Sequence, residues 1–304
     1  MITKEDFAYF QKTKKDAVLI QHQLICLKSK EVPFLIQKPA TLGNGIHEFP
    51  LDQQDHCRGY FDQHVSNISA IKFVPASGLA SRMFYFLRDF ILKFDPDQDN
   101  LETYLANESN HEFRFFVKHI EKFTFYDLIK IQIKKKGLKF TNDAGFIHHF
   151  IQILLDDVAF GMEGKALLPL FSNSKGKYDR DFELQTIEAL QLFSGTTKAK
   201  IHFTIDADQL PHFIVLENKL SEKLSKDDNR RLQVEYFFQD SKTDSVALLN
   251  NDRLLRDEDN NLIFRKSGHG ALFDNIERFR SDLMFIKSID SNSKGYGRSL
   301  FGTI

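Results

Sequence analysis

The stretch KFVPASGLASRMF, from Lys72 to Phe84, joins an apolar run to a helical pattern through small residues. The residues before it read as a short buried strand, and SRMFYFLRDFILKF places its apolar residues at helical spacing, with Ser81 expected as the N-cap. Glycine and alanine leave backbone N–H groups open to a ligand, and Arg82 adds a fixed cation. The junction therefore suits a phosphate chain at a helix start. The alternative is a tight turn with a surface arginine.

Strand-like and helical segments alternate along the rest of the chain. The strand-like segments are KAKIHFTI, LQVEYFF, NLIFR and SDLMFIKSID, and the helical ones are residues 3–29, 109–136, 143–158 and 181–194 and the stretch DADQLPHFIVLENKLSEKL. This alternation predicts an α/β domain with a mostly parallel sheet flanked by helices. Ligands of such sheets bind outside the carboxyl ends of the strands. We therefore expect the loops after Val74, Ile205, Phe238 and Ile289 to share one edge.

Composition and charge argue against a nucleic-acid-binding protein and against a membrane-spanning one. The chain has 304 residues, of which 42% are hydrophobic and 27% charged, and its formal net charge is -1. The near-neutral balance argues against nucleic acid as a partner, and no apolar run reaches the roughly 18 residues of a membrane span. Cys26 and Cys57 form no CxxC pair and fit a reducing compartment. We expect a cytoplasmic protein that binds neither nucleic acid nor membrane.

The small-residue loop is similar to a known signature. Ser77-Gly78-Leu79-Ala80-Ser81-Arg82-Met83 resembles the loop of the sugar nucleotidyltransferases, or pyrophosphorylases, which reads two small residues, any residue, Gly or Ala, Ser or Thr, Arg, then Leu or Met. Ser77 and Ala80 stand where glycine is commoner. The resemblance implies that Ser77, Gly78, Ala80 and Ser81 wrap a triphosphate, and that Arg82 stabilises the departing pyrophosphate.

A second segment carries a similar resemblance. Residues 266–290, KSGHGALFDNIERFRSDLMFIKSID, resemble the eukaryotic-type UDP-sugar pyrophosphorylase segment in which Gly-His-Gly precedes a helix and a strand ends in Asn-x-Asp-Asn. Gly268-His269-Gly270 matches the first element, which implies nucleotide binding. Asp290 takes the place of the metal-binding Asp, with Ser288 and Ser291 where Asn is usual. We expect Asp290, at the end of a buried strand, to bind Mg²⁺.

Two further residues have open interpretations. Lys165, in EGKALLPLF, resembles the Pro-Lys lysine of pyrophosphorylases, although Gly164 stands where Pro is usual. It is either a catalytic cation near the α-phosphate or a surface lysine of a loop. Gln239 follows a strand and either recognises the base through its amide, as a glutamine does at a comparable place in pyrophosphorylases, or is solvated.

The histidines favour structural roles. His148 and His149 lie on a predicted helix and lack the HExxH arrangement of a zinc site. His202 is expected to pack in or beside a strand. Ser77 is not a candidate nucleophile, because no G-x-S-x-G elbow surrounds it.

Several pieces between residues 40 and 290 carry a broader resemblance, namely ATLGNGI, KFVPASGLASRMF, GKALLPLF, HFTI, RDEDNNLIFRKSGHGAL and DLMFIKSID. Through them most of the chain resembles an uncharacterised bacterial family, domain of unknown function 4301, which is itself similar to the pyrophosphorylases. The fold implied is the nucleotide-diphospho-sugar transferase α/β sandwich of GT-A type. We expect a helical N-terminal segment (1–58), a nucleotidyltransferase-like α/β domain (59–290) and a flexible polar tail (291–304). Pyrophosphorylases continue beyond this point with a sugar-phosphate half and a second metal Asp, so we expect a chain truncated at its C-terminus.

The resemblance implies a reaction and its partners. A nucleotide, expected to be uridylyl, passes from a nucleoside triphosphate to a sugar 1-phosphate, with Mg²⁺ as cofactor and pyrophosphate as product. One alternative is a catalytically incomplete nucleotide-binding protein that keeps the triphosphate loop and lacks the acceptor half. Another is a structural or interaction protein in which the loop is only a turn.

Overall fold

A parallel sheet of four strands lies at the centre of the computed structural model. The structure describes residues 2–29, 37–78, 83–157, 164–172, 178–194, 196, 198–224 and 231–289. None of the helices in these ranges is long and apolar enough to cross a membrane.

The α-helices within the described ranges are α1 (Lys4–Thr13), α2 (Ala17–Ser29), α3 (Leu51–His64), α4 (Tyr85–Lys93), α5 (Leu101–Ala106), α6 (His111–Lys118), α7 (Tyr126–Lys135), α8 (Asp143–Gln152), α9 (Asp181–Leu192), α10 (Leu210–Leu224) and α11 (Phe273–Ile276). The strands are β1 (Thr41–Leu42), β2 (Gly45–Ile46), β3 (Ala70–Pro75), β4 (Phe171–Ser172), β5 (Tyr178–Asp179), β6 (Lys198–Ile205), β7 (Arg231–Phe238), β8 (Ser245–Val246), β9 (Phe264–Arg265) and β10 (Leu283–Ile286). Short 3-10 turns and one π-helical turn at Ile153–Asp157 connect several of them.

The central sheet has the strand order β10-β3-β6-β7, and every neighbouring pair in it is parallel. The longest ladder, between β6 and β7, runs from Lys198 opposite Arg231 to Ile205 opposite Phe238. Because the four strands are parallel, their carboxyl ends and the loops that follow them lie at one edge of the sheet. This confirms the predicted α/β class with a parallel sheet flanked by helices.

The two faces of the sheet are covered differently. On one face, Phe203 of β6 packs against Phe182 of α9 at 5.0 Å between ring centroids and against Phe213 of α10 at 6.2 Å. On the other face, Phe279 contacts His202 at 4.2 Å and Phe237 at 5.0 Å. The segment after α11 therefore covers the face opposite α9 and α10, and His202 packs within strand β6, as expected.

A charged cluster is buried between the sheet and α9. Lys72, in the middle of β3, has a fully buried side chain, and its ammonium donates to Glu188 Oε2 at 2.5 Å and to the Gln185 carbonyl at 2.8 Å. Lys287, just after β10, donates to the other oxygen of Glu188 at 2.5 Å. Charges removed from water need such partners to remain ionised. One carboxylate on α9 thus joins the middle of β3 to the residue that follows β10.

The helices from α4 to α8 form a separate hydrophobic core. Phenylalanine dominates this core, and Phe90 stacks on Phe113 at 4.2 Å and on Phe94 at 4.7 Å between ring centroids. Side-chain caps define two of the helix starts, since Asn100 accepts the Thr103 N–H at the beginning of α5 and Asn142 caps α8 in the same way. The abundance of phenylalanine in the sequence is thus explained by packing.

The first two helices pack on the segment between β7 and the Gly-His-Gly sequence. Phe10 of α1 and Ile20 of α2 share a small core with Val246 and Leu262. The Asp6 carboxylate accepts two hydrogen bonds from the Arg256 guanidinium, both at 2.8 Å, and is 3% exposed. The resulting bidentate ion pair fixes the N-terminal helices to residues far along the chain.

Three expectations differ from the structure. Helix α4 begins at Tyr85 with Phe84 at the N-cap position, so the expectation that Ser81 caps it is wrong. Strand β10 is half-buried rather than buried, because it lies at an edge of the sheet. The boundary expected at residue 58 falls inside α3, whose Phe61 packs against Phe285 of β10.

Replacing Glu188 with glutamine should lower the free energy of unfolding by about 3–5 kcal/mol, because two largely buried ammonium groups lose the carboxylate they share. Urea unfolding followed by circular dichroism measures the change. The matched control, Glu258→Gln, removes a carboxylate from an exposed turn and should leave the unfolding free energy unchanged. Equal loss in both variants, or none in Glu188→Gln, would show that the buried cluster is not stabilising.

Lys72 should make the free energy of unfolding depend on pH. Burial lowers the pKa of Lys72 from 10.5 to about 8, despite the opposing attraction of Glu188. Between these two values the unfolded chain holds more protons than the folded one, so this group makes the unfolding free energy rise with pH, by at most about 1.4 kcal/mol per unit. Lys72→Met should lack this rise. Urea unfolding between pH 7 and pH 10 tests it, and parallel profiles for both proteins would refute it.

Candidate functional site

The candidate site is the edge of the sheet where the four parallel strands end. Of the residues predicted for it, the structure describes Ser77, Gly78, Lys165, Gln239, Gly268, His269 and Gly270. Ala80, Ser81, Arg82 and Asp290 lie outside the described residues. The geometry below therefore concerns the first set and the residues around it.

The first group of site residues surrounds the loop after β3. The Ala76 N–H donates to the Thr204 carbonyl at 2.8 Å, which extends the pairing of β3 with β6 by one residue. Ser77 is then half-buried and Gly78 exposed. The Lys165 N–H donates to the Gly78 carbonyl at 3.0 Å. Two segments that are almost ninety residues apart in the sequence therefore meet at this edge.

Gly164, the residue before Lys165, makes a close contact with Gln209. Its buried N–H donates to Gln209 Oε1 at 2.6 Å, and a Cβ at this position would lie 2.6 Å from the same oxygen. Proline has no N–H and could not make this bond. Glycine therefore fits this position, because it keeps the N–H donor and has no Cβ to crowd Gln209.

The second group surrounds the end of β7. The Gln239 side-chain amide donates to Thr243 Oγ1 at 3.3 Å and to the Ser267 carbonyl at 3.5 Å. The Ser267 hydroxyl donates in turn to the Thr243 carbonyl at 2.6 Å. Gln239 is half-buried, and the Gly268–Gly270 sequence that follows Ser267 is exposed. The structure therefore brings Gln239 beside the Gly-His-Gly sequence, with an open backbone next to it.

The turn after β6 connects the two groups. Asp206, which the sequence indicates only as a helix entry, is 8% exposed and forms an ion pair with Lys266, two residues before Gly268. Gln209, on the same turn, holds the segment of Lys165 through Gly164. Asp206, Gln209 and Lys266 were not among the site residues predicted from the sequence. The one available signal was the position of Asp206 directly after a predicted strand.

Hydrogen bonds to β3 and α9 fix the backbone just before Asp290. The Lys287 N–H donates to the Phe73 carbonyl at 3.1 Å, and the Ser288 carbonyl accepts from the Gln185 side chain at 3.3 Å. Ile289 is buried, and its Cδ1 lies 4.0 Å from the position of a Cβ built on Gly78. The last described residue before Asp290 therefore borders the small-residue loop.

The described residues contain no group of three or more His, Cys, Asp or Glu side chains that could hold a metal ion. His148 lies 6.0 Å from the ring of Phe90, and burial lowers its pKa. Burial likewise lowers the pKa of His202, whose Nδ1 is 3.2 Å from Glu235 Oε2. A lowered pKa keeps both imidazoles neutral near pH 7, which suits packing among aromatic rings.

Comparison with known proteins gives one match. The family model for a domain of unknown function (DUF4301) covers residues 3–295. No curated protein and no solved structure matches the chain. The family match includes the small-residue loop, the segment of Lys165, the Gly-His-Gly sequence and Asp290, and extends over both N-terminal helices. The chain belongs to the DUF4301 family.

Proposed function

We propose that this protein transfers a nucleotide, with uridylyl the first to be tested, from a nucleoside triphosphate to a sugar 1-phosphate and releases pyrophosphate in a Mg²⁺-dependent reaction. One observation carries the proposal. The small-residue loop, the Lys165 segment, Gln239 and the Gly-His-Gly sequence meet at the carboxyl edge of one parallel sheet, where ligands of α/β proteins bind. A GT-A type fold is part of the same proposal.

The first group of residues suits the phosphate end of the substrate. Nucleotidyl transfer proceeds by in-line attack on the α-phosphate, so positioning and neutralisation of charge supply most of the catalysis. The exposed backbone at Gly78 can approach phosphate oxygens. In this proposal Arg82 binds the departing pyrophosphate. Lys165, held beside Gly78 by a main-chain hydrogen bond, brings a second cation to the α-phosphate.

Asp290 is the proposed Mg²⁺ ligand. It directly follows Ile289, whose Cδ1 lies 4.0 Å from the position that a Cβ on Gly78 would take, so this stretch of backbone borders the phosphate loop. Mg²⁺ binds one or two carboxylates together with phosphate oxygens and water, so an Asp beside a triphosphate fits its chemistry. The ion supplies charge neutralisation when it is bound. The bonds of Lys287 and Ser288 to α9 and β3 fix the chain just before the ligand.

The second group suits the base. The side-chain nitrogen of Gln239 donates to Thr243 and Ser267, which sets the orientation of the amide. Its carbonyl oxygen can then accept the N3–H of uracil. The exposed backbone of Gly268 and Gly270 lies next in the chain and can contact the other edge of the base or the ribose. These contacts support uracil as the first base to test.

Thermal unfolding against the four nucleoside triphosphates, with and without Mg²⁺, tests binding. Ligand at about 100 times its dissociation constant should stabilise the wild type by roughly 2.7 kcal/mol. Arg82→Ala should abolish this shift, because the triphosphate loses its fixed cation. The matched control Arg253→Ala removes an exposed arginine between the strands β8 and β9 and should keep the full shift.

Three outcomes separate the functions. A shift for one base together with pyrophosphate release from a sugar 1-phosphate supports the transferase. Binding without pyrophosphate release favours the nucleotide-binding protein without an acceptor half. The absence of any shift in the wild type would reject both and leave the loop as a turn.

Asp290→Asn should lower the rate of pyrophosphate release about 100-fold at fixed Mg²⁺, because the ion loses its carboxylate ligand. Its affinity for the nucleoside monophosphate without Mg²⁺ should stay at the wild-type value. The control Asp259→Asn changes an exposed turn and should leave both quantities unaltered. An Asp290→Asn variant with the wild-type rate and Mg²⁺ dependence would remove this residue from the metal site.

A further inference from the structure

Lys266 lies at the middle of the candidate site. Its ammonium forms an ion pair with Asp206 at the end of β6, a central strand of the sheet. The same turn of the chain binds Gly164 through Gln209 and so borders the segment of Lys165. On its other side, Lys266 is followed by Ser267, which bonds to Gln239 and the Thr243 carbonyl. Lys266 therefore stands between the group at the phosphate loop and the group at the base.

The two partners of this ion pair differ in exposure. The Asp206 side chain is 8% exposed, whereas that of Lys266 is 52% exposed. A carboxylate with so little access to water is costly to bury unless a cation or several donors pair with it. Lys266 supplies that cation while its ammonium stays within reach of solvent and of a ligand at the edge.

The Lys266 ammonium has N–H donors that its bond to Asp206 does not use. A lysine side chain carries three N–H donors, and the bond to Asp206 uses one of them. Asp206 thus fixes the direction of the lysine and leaves two donors that point away from the carboxylate. A fixed ammonium with free donors is a point cation of the kind that binds phosphate oxygens.

The charge of the substrate requires more than one cation. A triphosphate with Mg²⁺ retains net negative charge, so each additional fixed cation beside it strengthens binding. The segment of Lys165 is bonded to Gly78 after β3 and, through Gly164, to Gln209 after β6. Lys266 is paired with Asp206 on the same turn after β6, so a phosphate chain at the edge would meet both segments.

We propose that Lys266 is a phosphate-binding residue of this site, that its ligand is the polyphosphate group of the nucleotide, and that Asp206 is the positioning residue which orients its ammonium. The assignment rests on the proposed function for the identity of the nucleotide. The phosphate-binding role of Lys266 does not depend on which nucleotide binds, because inorganic tripolyphosphate presents the same chemical group.

Isothermal titration with UTP, UMP and tripolyphosphate in the presence of Mg²⁺ tests the assignment. Lys266→Met should weaken UTP and tripolyphosphate binding at least tenfold and change UMP binding much less, so the ratio of the UMP to the UTP dissociation constant falls. Asp206→Asn keeps the ammonium but replaces its charged partner with a weaker neutral acceptor, so the ammonium is held less firmly and the same two ligands should bind more weakly by a smaller factor. Arg265→Met is the matched control, since it removes an exposed cation one residue away and should leave the ratio unchanged.

Loss of Lys266 leaves Asp206 buried without its cation, so Lys266→Met can also reduce stability. The double variant Lys266→Met/Asp206→Asn removes both charges and restores folding, and it should show the same loss of tripolyphosphate binding. A double variant that binds tripolyphosphate as the wild type does would reduce the ion pair to a structural contact and overturn the assignment.

The remaining outcomes separate this assignment from the proposed function. Wild-type binding of UTP with an unchanged ratio in Lys266→Met overturns the role of Lys266 and leaves the transferase standing. Binding of tripolyphosphate through Lys266 with no preference for UTP over tripolyphosphate supports the cation and rejects the transferase. Failure of the wild type to bind either ligand overturns both.

Discussion

The buried carboxylate of Glu188 is the contact on which the geometry of the edge depends. It accepts hydrogen bonds from Lys72 in the central strand β3 and from Lys287 after the edge strand β10, both at 2.5 Å. The loops that follow these strands carry the two halves of the proposed phosphate and metal site. A helix on one face of the sheet therefore sets where the small-residue loop and the segment before Asp290 emerge. Charge-assisted hydrogen bonds have a preferred length and direction, so they fix the relative position of β3 and β10 more closely than an apolar contact would.

A comparable arrangement supports the base side of the site. The segment between β7 and the Gly-His-Gly sequence has little core of its own and packs on helices α1 and α2. Lys15 of the α1–α2 connection forms an ion pair with Asp244 at 2.7 Å, next to Thr243, which bonds to Gln239. The N-terminal helices are therefore a support for the residues proposed to read the base, although the sequence alone indicates only a helical segment of unknown position.

Local patterns predicted much of the architecture. The apolar runs at β3 and β6 and the periodicity of α9 identify these elements closely, because both patterns reflect burial of one chain segment at a time. Their parallel pairing follows from the alternation of strands with helices, and with it the shared edge. The start of α4 was missed, since Ser81 satisfies the preference for an N-cap but the helix begins four residues later, at Tyr85. Partners distant in sequence, such as Lys72 with Glu188 and Asp206 with Lys266, leave no local pattern. The residues around a lysine in an apolar run, or around a lysine two positions before a glycine, do not show whether an acidic side chain lies beside it in the fold.

The pairing of Asp6 with Arg256 has a consequence for biosynthesis. When the N-terminal helices leave the ribosome, the residues that cover Phe10 and Ile20 have not yet been translated, since Val246 and Leu262 lie more than two hundred positions downstream. The central strand β3 likewise waits for both of its neighbours, β6 and β10. Contacts of such long sequence separation form slowly and leave apolar surface open in the nascent chain. The helical body from α4 to α8, whose contacts are local, is the unit that can fold first during translation, whereas the sheet edge is complete only after β10 has been translated.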